Sequence, residues 1–255
     1  MSKIYFASDM HLGFPRKNES LEREKLVVKW LDSIIDDADE LYLLGDVFDF
    51  WFEYKHVVPR GFTRFLGKLA EFTDRGIPVH FFTGNHDVWV FDYLPSEIGV
   101  KVYRKPIVRK IDEKTFFIGH GDGMGDPNLG FKLLKRIFTS RTLQWLFARI
   151  HPNSAVGFGH RWSNHSRYSK GIVAEDFDPK KEHLIQFIEK HQKQDACDYY
   201  IFGHRHMPLI HLVNHSYYVN LGDWLTHFTF AVWENGSMNL KSYAKDGTTK
   251  IIAKA

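Results

Sequence analysis

Short apolar runs that end in polar turns alternate with helical patterns over the first hundred residues. Strands are predicted at Lys3–Ser8, Glu40–Leu44 and Pro78–Thr83, where most residues are apolar. Between them, apolar residues recur at helical spacing over Leu21–Ile35 and Gly61–Thr73. This alternation indicates parallel strands joined by helical crossovers. The carboxyl ends of such strands share one edge of the sheet, where open α/β sheets bind their ligands.

After residue 100 the chain changes to short strands, a long helical stretch and further strands. The predicted strands are Val100–Tyr103, Ile107–Ile111, Thr115–Ile118, Tyr199–Phe202, Leu209–Val213, Ser216–Leu221, Thr226–Trp233 and Met238–Tyr243. A helical pattern begins at Asn128 and continues through Phe147. Asp178-Pro179 has the residue types of an N-cap and first helical turn, and predicts a helix that reaches His191. We expect one domain over residues 1–255, with residues 127–174 as a helical insertion.

Composition predicts a folded protein of a reducing compartment. Apolar residues make up 44% of the 255 and aromatic residues 16%, enough for a large core and too many for a disordered chain. The single cysteine, Cys197, excludes an internal disulfide. Asp9 follows the start too soon for a signal peptide, and no run approaches 18 apolar residues. We therefore expect a cytosolic protein, or one that lies on the cytosolic face of a membrane.

Charge is unevenly distributed along the chain. Residues 127–174 contain no Asp or Glu but eight Lys or Arg residues, so the rest of the chain has 26 basic against 31 acidic residues. Such asymmetry indicates either a solvated basic face or an anionic partner for this segment. The same segment is rich in apolar residues, namely Leu129, Phe131, Leu133, Leu134, Ile137, Phe138, Leu143, Trp145, Leu146, Phe147 and Ile150. They fit a helical hairpin packed on the domain, or a lid with an apolar groove for acyl chains and a basic rim.

Five short motifs, each after a predicted strand, carry side chains that can bind metals. They are Asp9-Met10-His11, Gly45-Asp46-Val47-Phe48-Asp49, Gly84-Asn85-His86-Asp87, Gly119-His120-Gly121-Asp122 and Gly203-His204-Arg205-His206. One Gly-His or Gly-Asp pair is usually a capped turn, but five at strand ends indicate one shared site. Glycine lets the backbone turn sharply so that the ligand can point into the cleft. Mixed nitrogen and oxygen donors suit Mn²⁺, Zn²⁺, iron or cobalt.

This ordered series, over residues 9 to 206, resembles the signature of the calcineurin-like metallophosphoesterases. The resemblance implies a four-layer α/β/β/α sandwich with a helical lid insertion and two divalent metal ions, expected to be Mn²⁺, at one edge. It implies that one metal is held by Asp9, His11 and His206, the other by Asn85, His120 and His204, with Asp46 bridging. His86 would be the non-ligand histidine that faces the substrate phosphate, with Asp49 as its orienting partner.

The chemistry implied is hydrolysis of a phosphodiester or diphosphate. Two cations roughly 3.5–4 Å apart neutralise the anionic oxygens and lower the pKa of a bound water. His86 would donate a proton to the leaving oxygen or stabilise its charge.

The insertion, together with Leu221-Gly222-Asp223-Trp224, resembles the UDP-2,3-diacylglucosamine hydrolases within this family. This resemblance implies a lipid-linked nucleotide diphosphate as substrate, cleaved to UMP and an acylated sugar phosphate in lipid A synthesis. It also implies a cytoplasmic enzyme in peripheral contact with the cytosolic face of the inner membrane. Arg161, Asn164 and Lys170 are the nearest counterparts of the substrate contacts in those enzymes, beside Asn85 and His86. His86 stands where the best-known members have arginine, so another nucleotide or lipid-linked diphosphate stays open as substrate.

Two other classes of function are compatible with parts of the pattern. Basic residues suit a nuclease, but the aromatic residues of the insertion lie within aliphatic runs rather than as separate stacking platforms. A non-catalytic scaffold would have lost metal ligands, whereas all seven positions carry metal-capable side chains. We therefore expect no nucleic acid and no obligate protein partner.

Overall fold

Twelve strands and six helices are present in the computed structural model, which describes residues 2–126, 128–170 and 177–255, with the backbone alone at 129, 160, 162 and 164–170. The strands are β1 (Ile4–Ala7), β2 (Glu40–Leu44), β3 (Val79–Phe82), β4 (Lys101–Tyr103), β5 (Ile107–Ile111), β6 (Lys114–Ile118), β7 (Tyr199–Phe202), β8 (Leu209–Val213), β9 (Ser216–Asn220), β10 (Thr229–Glu234), β11 (Ser237–Tyr243) and β12 (Thr249–Lys254). The helices are α1 (Lys17–Ile34), α2 (Thr63–Asp74), α3 (Leu129–Thr139), α4 (Arg141–Phe147), α5 (Pro152–Lys170) and α6 (His183–Gln192), and a π-helical turn spans Leu94–Ile98.

The strands form two mixed sheets. The first has the order β12-β11-β10-β1-β2-β3-β4, with β1 to β4 parallel to one another. The second has the order β5-β6-β7-β9-β8, with β6, β7 and β9 parallel. The predicted βαβ arrangement is therefore confirmed for the first three strands, and β4 adds a further parallel strand.

The sheets pack face to face between helical layers. Alternate residues of β1 face opposite sides, because side chains alternate along a strand. Ile4 and Phe6 join the core between the sheets, whereas Tyr5 and Ala7 face α1 and α2. On the far side, α6 packs its buried leucine and isoleucine side chains against β7 and β9. The order helices, sheet, sheet, helix confirms the α/β/β/α sandwich.

The basic segment forms α3, α4 and α5 and packs beside the sandwich. Phe138, Phe147 and Val156 contact an aromatic cluster of Phe50, Phe52 and Trp89. Among the described helices, none combines the length and apolar composition needed to span a bilayer.

The predicted starts of α6 and β10 were wrong, and one strand was not predicted. The turn at Asp178 accepts backbone hydrogen bonds from Lys181 and Glu182, so α6 begins only at His183, with Glu182 as its N-cap. The strand predicted from Thr226 begins at Thr229, because the carboxylate of Asp223 holds the preceding backbone N–H groups in a turn. Strand β12 was not predicted, because its edge position admits lysines that break the apolar pattern.

Candidate metal centre

The five motifs meet at the edge where the two sheets join. Parallel strands β1, β2 and β3 bring Asp9, Asp46 and Asn85 to this edge, and β6 and β7 bring His120 and His204. Contacts between motifs then fix the loops. The N–H of His204 donates to Oδ2 of Asp9 at 2.9 Å, and Nδ1 of His120 lies 2.7 Å from the carbonyl oxygen of Leu44. Both contacts join the first sheet to the second.

Asp9, His11 and His206 are spaced for one cation. Oδ1 of Asp9 lies 3.6 Å from Nε2 of His11 and 3.2 Å from Nε2 of His206. The two Nε2 atoms are 3.3 Å apart. Ligand atoms bound at about 2.0–2.2 Å to one ion lie roughly 3–3.5 Å from each other. The three side chains can therefore hold a metal ion.

Asp46, His120 and His204 form a second group that could hold a metal ion. Oδ2 of Asp46 lies 3.4 Å from Nε2 of His120, and 3.9 Å from Nε2 of His11 in the first group. Asp46 thus stands between the two groups, as expected of a bridging ligand. His86 also lies within ligand spacing of His11 and Asp46. We use the name ligand cluster for Asp9, His11, Asp46, Asn85, His120, His204 and His206.

Unpaired polar atoms in the ligand cluster fit a bound cation. Within the described part of the chain, Oδ1 of Asp9, Oδ1 of Asn85 and Nε2 of His120 are buried and form no hydrogen bond. Leaving a buried polar atom without a partner costs about 1–3 kcal/mol. Coordination to divalent cations satisfies all three atoms. The residues present therefore fit a metal centre with mixed nitrogen and oxygen donors.

The ionisation of the ligand cluster favours positive charge between its carboxylates. Burial alone would raise the pKa of Asp46, but the neighbouring His120 and His86 hold it well below its usual range. Burial likewise opposes protonation of His120, yet Asp46 and Asp9 raise its pKa well above the ordinary value. The pKa of His206 is raised in the same way by Asp9 and Asp223 against its burial. The same buried carboxylates that raise the pKa of these histidines would attract a divalent cation, which would take the place of the histidine protons.

Backbone strain is concentrated in the ligand cluster. Five of its members have left-handed backbone conformations, with φ between 45° and 67°: Asp9, His11, Asp46, His204 and His206. This region is unfavourable for residues other than glycine and persists where the surrounding structure enforces it. The sharp turns aim the side chains of successive strand ends into one small volume.

Two motif glycines allow the loops to approach each other. A Cβ atom at Gly84 would overlap the Asp46 carboxylate, and one at Gly203 would overlap the Asp9 carboxylate. These glycines are therefore required by close contact with the two buried acids rather than by their own backbone angles.

His86 and Asp49 lie beside the ligand cluster. Nδ1 of His86 is 3.0 Å from the backbone carbonyl oxygen of Asp49 and 3.1 Å from Oγ of Ser163 in α5. The Asp49 carboxylate is more distant from this nitrogen, at 3.9 Å, and lies 3.7 Å from Nδ1 of His11. Asp49 is therefore positioned to orient two histidines. Its backbone carbonyl group contacts His86, and its carboxylate lies near His11.

Asp87 supports the site without joining the ligand cluster. Its fully buried carboxylate accepts the N–H groups of Gly84 at 2.7 Å and Val47 at 2.8 Å. Burial and nearby Asp46 raise the pKa of Asp87 to about 7, against these hydrogen bonds. The carboxyl group ties two motif loops together. Its place in the Gly-Asn-His-Asp motif was visible in the sequence, but its role depends on the fold.

A cavity of about 370 Å³ opens beside the ligand cluster. Asn85, His86 and His204 line one side of it. Its other walls are mainly apolar and come from the second and third motif loops and the insertion: Phe50, Val88, Trp89, Phe131, Leu134, Phe138, Phe147 and Phe158. We call this space the apolar cavity.

None of the predicted substrate contacts of the insertion is described in the lining of this cavity. Arg161 is exposed and is absent from the described lining of the apolar cavity, where Gly159 and Ser163 of the same helix are found. The side chains of Asn164 and Lys170 lie outside the described residues. Ser163, which the sequence did not single out, is a side chain of α5 that contacts His86.

Comparisons with known proteins define the class. Residues 2–208 match the family model of the calcineurin-like phosphoesterases, and the chain belongs to this family of metal-dependent hydrolases. A UDP-2,3-diacylglucosamine hydrolase of Porphyromonas gingivalis (strain ATCC BAA-308 / W83) is 38% identical, over 94% of this chain and 97% of the relative. A protein of the same name from Shewanella baltica (strain OS185) is 25% identical, over 97% of this chain and 100% of the relative.

A solved structure supports the fold. The vacuolar protein sorting 29 of Cryptosporidium parvum superposes with a TM-score of 0.50 at 16% identity, covering 100% of this chain and 96% of that one. At this identity the likeness concerns the sandwich alone.

Proposed function

We propose that the protein hydrolyses the diphosphate of UDP-2,3-diacylglucosamine to UMP and 2,3-diacylglucosamine 1-phosphate, a step of lipid A biosynthesis. The observation that carries this proposal is the apolar cavity at the ligand cluster, where a diphosphate and acyl chains can be bound together. The relatives that bear this enzyme's name match nearly the whole chain.

In this proposal the ligand cluster holds two divalent metal ions, which we take to be Mn²⁺. Asp9, His11 and His206 hold one ion. Asn85, His120 and His204 hold the other, and Asp46 contributes to both. When bound, such ions would supply positive charge against the diphosphate oxygens and would lower the pKa of a water molecule. The net change replaces one P–O bond of the diphosphate bridge by a P–OH group from water, with release of a proton.

His86 holds or moves a proton at the reacting phosphate. Its Nδ1 is engaged by the carbonyl oxygen of Asp49, so Nε2 is the nitrogen left for the substrate. A protonated His86 at this point can donate to the departing phosphate oxygen, or stabilise its charge by a hydrogen bond. Asp49 and Ser163 fix the orientation of the ring.

The insertion, residues 127–174, acts as a lid that binds the acyl chains. Its aromatic side chains Phe131, Phe138 and Phe147 form one wall of the apolar cavity, facing Trp89 from the sandwich. Burial of hydrocarbon against such walls contributes about 25 cal/mol per Å² of apolar surface. We assign substrate contacts to Asn85, His86, Arg161, Asn164 and Lys170, of which the first two line the cavity.

The outer face of the same helices fits peripheral contact with an anionic membrane surface. Leu133, Trp145 and Leu146 are all more than half exposed. Lys132, Arg136 and Arg149 lie among them, and Arg149 stands 4.5 Å from the Trp145 ring centre. Apolar side chains with a basic rim are typical of helices that lie in a membrane interface.

The test of activity is UMP release from UDP-2,3-diacylglucosamine by the purified protein with Mn²⁺. A generic aryl phosphodiester serves as a control for an active metal centre. We expect UMP to form, and chelation by EDTA to stop its formation. Cleavage of the aryl ester without UMP release would show that the phosphoesterase acts on a different substrate.

The test of membrane contact is co-sedimentation with vesicles that contain anionic lipid. Trp145→Ser with Leu146→Ser is expected to release the protein from the vesicles. Leu212→Ser, which changes an equally exposed leucine of β8 on the sandwich, is the matched control. If both variants bound the vesicles equally well, the insertion would be excluded as the membrane contact.

A further inference from the structure

A second cavity of about 410 Å³ adjoins the apolar cavity. The two share Gly84, Val88, Asp122 and Lys135 as a dividing wall, and the second cavity reaches His120. Its volume falls within the range of about 300–1,000 Å³ that is usual for small-molecule sites. We call it the basic cavity, because of the side chains described next.

Four cationic side chains and one carboxylate line the basic cavity. The cations are Arg104, Lys105, Lys135 and Arg141, and the acid is Asp122. Lys135 is bound to Asp122, with Nζ 2.6 Å from Oδ2. Lys135 is therefore the cation of this set that is paired with the carboxylate. The surplus of three positive charges makes the cavity suited to an anion.

Lys105 and Arg141 are the two cations available to a ligand. Arg104 donates to the carbonyl oxygens of Val90 and Phe91, at 2.8 Å and 3.2 Å, and so holds the neighbouring loop. Within the described residues, neither Lys105 nor Arg141 has a carboxylate within 4.0 Å. Both are exposed, one at the end of β4 and the other at the start of α4.

Aromatic rings complete the wall of the basic cavity. Phe91 and Tyr103 are half-buried and line it. The Tyr103 ring is stacked on Phe82 at 4.9 Å between ring centres, which holds it in place. Fixed aromatic rings beside unpaired cations are the features that bind a nucleobase together with a phosphate.

From this arrangement we propose that the basic cavity binds the nucleoside monophosphate half of the substrate, with Lys105 and Arg141 as specificity-determining contacts. The inference rests on the proposed function for the identity of the nucleotide, UMP. A diphosphate that bridges the ligand cluster would place its acylated sugar in the apolar cavity and its nucleoside in the basic cavity. The dividing wall at Lys135 then separates the two products.

Titration of UMP into the Mn²⁺-loaded protein tests this inference. The double variant Lys105→Ala with Arg141→Ala is expected to bind UMP at least 10-fold more weakly than the wild type. Its affinity for 2,3-diacylglucosamine 1-phosphate is expected to change less than 2-fold, since the lipid occupies the other cavity. Lys132→Ala is the matched control, because Lys132 is an exposed lysine of α3 outside both linings.

Three results would overturn the inference: no UMP binding by the wild type, unchanged UMP affinity in the double variant, or an equal loss of affinity for both products. Circular dichroism and the melting temperature check that the variants are folded. The outcome is separable from the proposed function. UMP binding through Lys105 and Arg141 without UMP release from the diacyl substrate would support the nucleotide site and reject that substrate. UMP release with unchanged UMP affinity in the double variant would support the proposed substrate and reject the nucleotide site.

Discussion

The carboxylate of Asp223 lies 3.2 Å from Nδ1 of His206, whose Nε2 faces Asp9 in the ligand cluster. The other oxygen of Asp223 accepts the N–H groups of Leu225 and Thr226 at 3.0 Å and 2.7 Å. Burial would raise the pKa of Asp223, but these contacts hold it at about 2. A charged carboxylate therefore orients His206 and increases its basicity as a ligand.

Asp223→Asn is expected to weaken metal binding. The amide oxygen retains the backbone hydrogen bonds, whereas the negative charge behind His206 is lost. Loss of such a partner typically lowers metal affinity or activity by about 10–100-fold. Calorimetric titration with Mn²⁺ measures the change, and His227→Ala, which removes a second histidine beside the same carboxylate, is the control. Unchanged affinity in Asp223→Asn would mean that His206 needs no orienting partner.

Asp46→Ala and His86→Ala are expected to separate metal binding from catalysis. Asp46 stands between the two groups of the ligand cluster, so its removal should abolish turnover and lower the bound metal. His86→Ala should retain metal and lose about 10²–10⁴-fold in rate, as general acids typically contribute. Metal analysis of each purified variant and turnover of an aryl phosphodiester are the measurements. Wild-type activity and metal content in Asp46→Ala would contradict the dinuclear site.

His206→Gly is expected to be more stable than His206→Ala when metal has been removed by EDTA. The backbone of His206 has a φ of 53°, which alanine tolerates poorly and glycine adopts freely. The expected difference in the free energy of unfolding is about 0.5–1 kcal/mol. Urea denaturation measures it. Glu189, an exposed residue within α6, provides the control. There, Glu189→Gly should be less stable than Glu189→Ala, because glycine weakens a helix interior.

Glu40 is expected to link stability to acid pH. It lies in β2 and contacts Arg109 of β5, with Nη2 2.9 Å from Oε1, and His80 at 2.9 Å. Burial would raise the pKa of Glu40, but His80 and Arg109 hold it at about 2. The depressed pKa stabilises the fold above the unfolded pKa, and this contribution is lost as pH falls from about 5 towards 2.

Glu40→Gln should therefore lower the free energy of unfolding at pH 7 by about 1–2 kcal/mol, after allowance for the partly exposed Arg109. The difference from the wild type should shrink as the pH approaches 2. Urea denaturation across this range measures it, with Glu113→Gln as a control at an exposed glutamate. A difference that does not depend on pH would show that the Glu40 charge is not involved.

The members of the ligand cluster could be predicted because each one follows a short apolar strand. Strands such as Glu40–Leu44 and Tyr199–Phe202 have the bounds expected from their apolar runs. Parallel pairing then dictates that their carboxyl ends meet. The strand pattern and the motif order are both local in sequence, so the position of the ligand cluster at the edge of the sandwich could be predicted.

The supporting residues were not accessible in the same way. Asp223 lies 17 residues from His206, and Asp87 reaches the Val47 loop 40 residues away. Nothing local distinguishes such acids from those that cap ordinary turns, as Asp223 also does. The two cavities likewise depend on how α3 and α4 pack against the loops after β3 and β4, which no periodicity specifies.

The division of the ligand cluster between two sheets has a consequence for biosynthesis. Asp9, Asp46 and Asn85 follow strands of the first sheet, whereas His120, His204 and His206 follow strands of the second. A nascent chain that has emerged only as far as β4 carries Asp9, His11, Asp46 and Asn85 but lacks the other three proposed ligands, so it cannot close a dinuclear centre. Catalytic competence is therefore acquired late, after the ribosome has released His206 and the two halves have docked. Metal incorporation would then report that tertiary assembly is complete.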